Sequence, residues 1–167
     1  MGIKTINNLI MKKSFLFIVA LITISTTSYA QELGLGFQAS FPSYGLSLKA
    51  DLTETHTVQG VFGAFGTVTM ISGRYIYNFS ETGDSFPITP FVYAQAGQWN
   101  YNEDLLGIDE SVFGYGVGAG IEFNWLNFFS DRFRTTLELG YSKVDLEFFD
   151  FSATTIGVGL HYNFLEL

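Results

Sequence analysis

From Ser111 to Trp125 the chain alternates without a break. Phe113, Tyr115, Val117, Ala119, Ile121, Phe123 and Trp125 share one parity, and Gly114, Gly116, Gly118, Gly120, Glu122 and Asn124 share the other. A period of two puts these sets on opposite faces of a β-strand, one apolar and the other small or polar. Two later segments repeat the pattern. Over 132–142, Phe133, Thr135, Leu137, Leu139 and Tyr141 oppose Arg134, Thr136, Glu138, Gly140 and Ser142. Over 152–164, Thr154, Ile156, Val158, Leu160, Tyr162 and Phe164 oppose Thr155, Gly157, Gly159, His161 and Asn163.

Earlier segments extend the series. Residues 32–40 set Leu33, Leu35, Phe37 and Ala39 against Gly34, Gly36 and Gln38, and residues 44–52 set Leu46, Leu48 and Ala50 against Ser47, Lys49 and Asp51. Residues 55–65 and 67–79 form a pair joined near Phe65-Gly66, with clear parity only where Tyr75, Tyr77 and Phe79 oppose Arg74 and Asn78. Residues 88–100 make the fifth strand, whose outer face is left open between Phe91/Tyr93 and Val92/Ala94/Ala96. The series holds eight strands. Strands with one continuous apolar face can cross a bilayer only if the sheet closes on itself, because an open edge would leave backbone groups unpaired in lipid. The expected fold is all-β: an eight-stranded antiparallel up-and-down transmembrane β-barrel.

The start of the chain bears on where such a barrel would sit. Lys12 and Lys13 precede the apolar run 14–24, and small residues lead to Ser28-Tyr29-Ala30. This has the three parts of a secretory signal with an Ala-x-Ala-like cleavage site. Residues 1–30 are therefore expected to be a cleaved signal peptide and residues 31–167 the barrel, with Met11 as an alternative start. Cleavage removes three of the eight basic residues and none of the sixteen acidic ones, so the mature chain would carry a net charge near −11. So few cations cannot form a basic patch, which argues against nucleic acid as a partner. The absence of cysteine excludes disulfides and thiolate metal sites.

Three triplets mark strand ends: Tyr77-Asn78-Phe79, Phe123-Asn124-Trp125 and Tyr162-Asn163-Phe164. Eight antiparallel strands bring these ends to one side, where six aromatics would form a girdle at a bilayer surface. That side is expected to be periplasmic. The outward connections would then be Phe41-Pro42-Ser43, the Phe65-Gly66 turn, Asn100–Glu110 and Lys143–Asp150. The last two carry Glu103, Asp104, Asp109, Glu110, Asp145, Glu147 and Asp150. Inward connections are expected at Leu52–Glu54, Ser80–Pro87 and Asn127–Ser130, the second being longer than such turns usually are.

On these residues the mature chain resembles the small eight-stranded outer-membrane β-barrels of Gram-negative bacteria, the OmpX, OmpW and OmpA-barrel group. Gly159-Leu160-His161-Tyr162-Asn163-Phe164 is similar to the C-terminal assembly signal of that family, except that Leu165-Glu166-Leu167 follow the terminal aromatic. The resemblance implies residence in the cell outer membrane as a monomer among lipids that include lipopolysaccharide. It also implies that periplasmic chaperones and the barrel-assembly machinery handle the chain during biogenesis.

Inward parity gathers Lys49, Arg74 and Arg134 with Asp51, Glu122 and Glu138, and places His161, Gln38 and Asn163 nearby. A barrel of this size is filled by its own side chains and buried charges must be paired, so a polar network plugging the lumen is expected. Inward glycines on the first, sixth and eighth strands either outline a cavity or make room for large neighbours such as Arg74, Arg134 or Tyr93. Catalysis has little support. His56 and His161 are the only histidines, no serine stands two residues from His161, and two distant histidines make a poor metal site. No cofactor is expected. The sequence points to a non-enzymatic integral outer-membrane protein with a structural or surface-interaction role through acidic outer loops. The alternatives are a narrow pore for small solutes, a lipid-modifying barrel enzyme, and a soluble lipocalin-like binder whose apolar face would turn inward.

Overall fold

The computed structural model describes residues 32–103, 108–146 and 149–166; the expected signal peptide, Asp104 and Glu147 lie outside them. The described residues form β1 (Glu32–Ser40), β2 (Ser43–Asp51), β3 (His56–Phe65), β4 (Val68–Asn78), β5 (Ile88–Glu103), β6 (Ile108–Phe123), β7 (Phe133–Leu146) and β8 (Phe149–Glu166). Each strand pairs antiparallel with its neighbour in sequence, and β1 pairs with β8 to close the barrel. Closure leaves no sheet edge, so every strand has a hydrogen-bonding partner on both sides. At the closing seam the register shifts between Leu33 and Gly34, whose partners are Leu165 and Asn163, so Phe164 is passed over.

Both ends of the described chain lie at one end of the barrel, called here the terminal end; the opposite end is the distal end. The distal β3–β4 connection is a two-residue turn in which Gly66 adopts φ 58°, the left-handed conformation that tight hairpins need and glycine supplies without strain.

Alternation translates directly into two faces. Leu35, Phe37, Leu46, Leu48, Phe62, Phe113, Tyr115, Val117, Leu139, Ile156 and Val158 are exposed on the outside. Gln38, Ser47, Lys49, Gln59, Arg74, Gln95, Glu138, Ser142, His161 and Asn163 are buried inside. The barrel is apolar outside and carries its buried polar and charged side chains within, the reverse of a soluble ligand-binding barrel. On β5 the open question is settled: Phe91 and Tyr93 point inward and Val92 outward.

The hairpins at the distal end are longer than expected. Asn100 pairs with Ser111, Tyr101 with Glu110, Asn102 with Asp109 and Glu103 with Ile108, so most of the presumed 100–110 loop is strand. Lys143 likewise pairs with Ser152 and Leu146 with Phe149. The acidic residues interrupt the apolar pattern but not the ladder, because the ladder is made by backbone groups whatever the side chain. At the terminal end the reverse holds. β6 stops at Phe123 and β7 starts at Phe133, so the expected short turn at 127–130 spans 124–132 and takes Asn124 and Trp125 off the strand.

Candidate functional site

The lumen concentrates the charged and hydrogen-bonding side chains. Arg74 on β4 and Glu138 on β7 form an ion pair with side chains 1% exposed, and Arg74 Nη1 donates a second hydrogen bond to Glu138 at 3.3 Å. Gln38 donates its side-chain amide to the same carboxylate, and the Tyr93 ring lies 4.0 Å from the guanidinium carbon. The carboxylate is thus matched by a cation and a neutral donor, and the cation by a carboxylate and a ring face. Such pairing is what allows charge to persist out of water.

A second group sits nearer the terminal end. Lys49 pairs with Glu122, and Arg134 Nε approaches the other oxygen of Glu122 at 3.8 Å. Arg134 is half-buried and also donates to the backbone carbonyls of Asp131 and Phe133, so it ties the start of β7 as well as facing the lumen. Asp51 accepts from the Thr57 hydroxyl, to which Asn78 donates at 3.0 Å. The seven lumen residues expected from parity all lie on the inner face, but six of them divide into two charged groups and the Asp51–Thr57 bond.

His161 belongs to a third group that parity alone does not reveal. Its Nε2 lies 2.8 Å from Ser47 Oγ and 3.3 Å from the Gln59 amide nitrogen, which itself donates to Ser47 at 2.7 Å. Sequence proximity gave no serine for His161; strand pairing supplies one from β2. The pair is still not a working catalytic arrangement. Among the described residues His161 Nδ1 has no hydrogen-bond partner, so none of them orients the ring as an acid would, and both residues are 1% exposed, which closes the hydroxyl to solvent. His56 lies elsewhere, on the outer face at the terminal end, where its Nδ1 is 2.6 Å from the Tyr75 hydroxyl.

Glycine makes this filling possible. Along β5 and β6, Phe91 pairs with Gly120, Tyr93 with Gly118 and Gln95 with Gly116. A Cβ on Gly118 would lie 2.6 Å from the Tyr93 ring, well inside contact distance. Glu138 similarly stands between Gly120 and Gly157, while His161 faces Gly36, Asn163 faces Gly34 and Gln38 faces Gly159. Large inner residues lie beside small ones, so the glycine stripes are filled by Phe91, Tyr93 and the polar network and do not outline a cavity. A void of about 10 Å³ remains, lined by Gln38, Lys49, Arg74, Glu122 and His161 among others, which is room for roughly one water. Arg74 Nε, like His161 Nδ1, is buried without a hydrogen-bond partner among the described residues.

Toward the distal end the filling changes character. Val61, Met70, Trp99 and Val144 form a buried apolar cluster, packed against Val68, Val112 and Phe151. Trp99 Nε1 donates to the Pro42 carbonyl at 2.9 Å, which holds the β1–β2 turn against this cluster. For Val61 and Met70 there is a physical reason why sequence reasoning missed it: Phe62 and Ile71 beside them are exposed on the outer face, and where both faces of a strand are apolar, alternation disappears.

The six aromatics of the expected girdle all lie at the terminal end, Phe79 and Trp125 just beyond their strands. Tyr77, Phe79, Trp125, Tyr162 and Phe164 are exposed, and Phe123 is half-buried beneath Phe86 with ring centroids 5.5 Å apart. Tyr77 packs on Phe79 and Tyr162 on Phe133, each at 5.2 Å.

Among known proteins, no family description and no curated protein matches the chain. Solved structures do. The N-terminal β-barrel domain of Pseudomonas aeruginosa OprF aligns with a TM-score of 0.56 at 22% identity, covering 80% of this chain and 96% of that one. Neisserial surface protein A aligns at 0.46 and 13% identity, over 80% and 94% of the two chains. Ail, the attachment invasion locus protein of Yersinia pestis, solved with the heparin analogue sucrose octasulfate, aligns at 0.38 and 18% identity, over 80% and 97%. The fold is that of the small eight-stranded outer-membrane barrels.

Proposed function

We propose that the protein is a non-enzymatic, monomeric integral outer-membrane barrel, plugged by its own side chains, whose role is structural or interactive at the cell surface. The observation that carries this reading is the inversion of polarity. Residues such as Phe37, Phe113, Leu139 and Ile156 are 58% to 77% exposed in a barrel whose charged residues Lys49, Arg74 and Glu138 are buried. Contiguous apolar surface on this scale is unfavourable in water and favourable against acyl chains. The shared fold of the OprF barrel domain supports the outer membrane as the location.

With the aromatic terminal end at the periplasmic surface, the long β5–β6 and β7–β8 hairpins project outward. Asp109, Glu110, Asp145 and Asp150 lie on those hairpins, which makes them rich in acidic residues. An acidic projecting surface suits structural crowding or contact with cationic and divalent-bridged partners, including lipopolysaccharide. In biogenesis the partners would be periplasmic chaperones and the barrel-assembly machinery. The filled lumen and the inaccessible Ser47–His161 contact support a role without catalysis or cofactor.

The test is physical. Membrane fractions are extracted with alkaline carbonate and run on a denaturing gel with and without heating. Carbonate-resistant association with heat-shifted migration supports the reading. Recovery as a soluble periplasmic protein would overturn it.

A further inference from the structure

The connection between β6 and β7 is large for the terminal end and carries three bare aromatics. Trp125, Phe128 and Phe129 are 53%, 70% and 75% exposed, and the rings of Phe128 and Phe129 lie 4.3 Å apart. The segment is tied together: the amides of Phe129 and Ser130 donate to the Leu126 carbonyl at 2.8 and 3.1 Å, and Asn124 Nδ2 donates to the Ser130 carbonyl at 3.0 Å. The Arg132 amide closes it onto Ser130 Oγ at 3.2 Å. Backbone bonds thus hold the segment in a shape that displays its apolar side chains.

The same end of the barrel offers a contrast. The β2–β3 turn contributes Leu52, Thr53, Glu54 and Thr55, and the β4–β5 connection carries exposed Glu81 and Asp84. Those two connections are negative. In 124–132 the charges are Asp131 and Arg132, both exposed, and they cancel. Anionic phosphates are repelled by the first two connections but not by the third, and rings of Trp and Phe are suited to the boundary between headgroups and acyl chains.

We propose that the 124–132 segment is an interfacial wedge that seats Trp125, Phe128 and Phe129 among the phospholipids of the leaflet at the terminal end. The proposal rests on the membrane reading above and adds to it an occupant and a position. Phe123, the last residue of β6, belongs to the outer face and packs on Phe86 of the β4–β5 connection; the one polar residue between it and Trp125, Asn124, is turned back onto the Ser130 carbonyl, so the apolar surface continues from the strand into the connection. A deeper anchor on the β6–β7 flank and acidic connections elsewhere make the rim uneven. The barrel axis would then tilt toward that flank, because interfacial anchors set tilt.

Depth-dependent fluorescence quenching tests the wedge. The chain has two tryptophans, Trp99 and Trp125. In a Trp99→Phe, Trp125→Phe background, Phe128→Trp places a probe in the wedge and Leu139→Trp places one on the outer face in mid-strand. Each protein is folded into phosphatidylcholine–phosphatidylglycerol vesicles containing lipids brominated near the headgroup or deep in the chain. Strong shallow quenching at 128 with strong deep quenching at 139 supports the wedge. Deep quenching at 139 with none at 128, and full access of 128 to aqueous acrylamide, overturns the wedge but leaves the membrane reading intact. Absence of quenching at both positions overturns the membrane reading as well. If the Trp99→Phe background does not fold, Trp99 is retained. It is buried in the lumen away from lipid bromines, and the difference between Trp125→Phe and Trp125→Phe/Phe128→Trp reports the wedge alone.

Discussion

Arg74 and Glu138 reach each other from β4 and β7 across the lumen, each with its side chain 1% exposed. Removing one partner strands the other in a water-poor interior, whereas removing both leaves no unpaired charge. Glu138→Leu or Arg74→Met alone should destabilise the barrel by about 3–5 kcal/mol, the usual cost of an orphaned buried charge. The double variant should recover most of that loss. Equilibrium unfolding in urea from lipid vesicles measures each, and additive losses would show that the two charges do not act as a pair.

Packing between β5 and β6 gives a second prediction. Gly118→Ala puts a methyl against the Tyr93 ring and should cost about 1–3 kcal/mol through overpacking. Tyr93→Ser in the same chain frees that space and should restore Gly118→Ala to near the stability of Tyr93→Ser alone. The same unfolding measurement decides it: a Gly118→Ala penalty that persists beside Ser would point to the backbone and not to the ring.

How far these features could be read from sequence depended on contrast between the two faces. On β6, aromatics alternate with glycines, so the strand, its faces and its partners were legible. On β3 and the first half of β4, Val61 and Met70 point inward while Phe62 and Ile71 point outward, and two apolar faces cannot be told apart by period. β5 failed in the same way around Phe91, Val92 and Tyr93. The strands that resisted reading supply most of the apolar filling, to which the clearly alternating β7 adds Val144. Parity also identified the lumen charges but could not pair them. Lys49 meets Glu122, and His161 meets Ser47, only because closure brings β2 across from β6 and near β8. The distal hairpins were underestimated because acidic residues suggest loops, although a strand beyond an apolar zone can carry charge.

The two kinds of filling predict the electrical behaviour. Planar-bilayer recordings of the unaltered protein should be silent. Trp99→Ala with Met70→Ala thins the apolar cluster but leaves the ion pairs, and should stay silent. Adding Arg74→Ala and Glu138→Ala should give measurable conductance in chains that still show heat-shifted migration. Openings in the first double variant would mean that the apolar cluster alone blocks the lumen.

The closing seam makes Phe164 unlike the other girdle residues. It sits where the β1–β8 register shifts, whereas Phe79 lies just beyond the end of β4. Phe164→Ala should therefore reduce the fraction of chain that folds and inserts more than Phe79→Ala does, read from the heat-shifted band after folding into vesicles. Equal losses would make Phe164 an ordinary rim aromatic.

The succession of ion pairs and apolar cluster along one lumen has a cellular consequence. A hydrated ion would have to shed its shell at Val61, Met70, Trp99 and Val144, and an oily molecule that passed them would meet buried charge. Each class of solute is stopped by the filling that suits the other. On the proposed reading, further copies of such a barrel would add protein to the membrane without adding a path for small solutes.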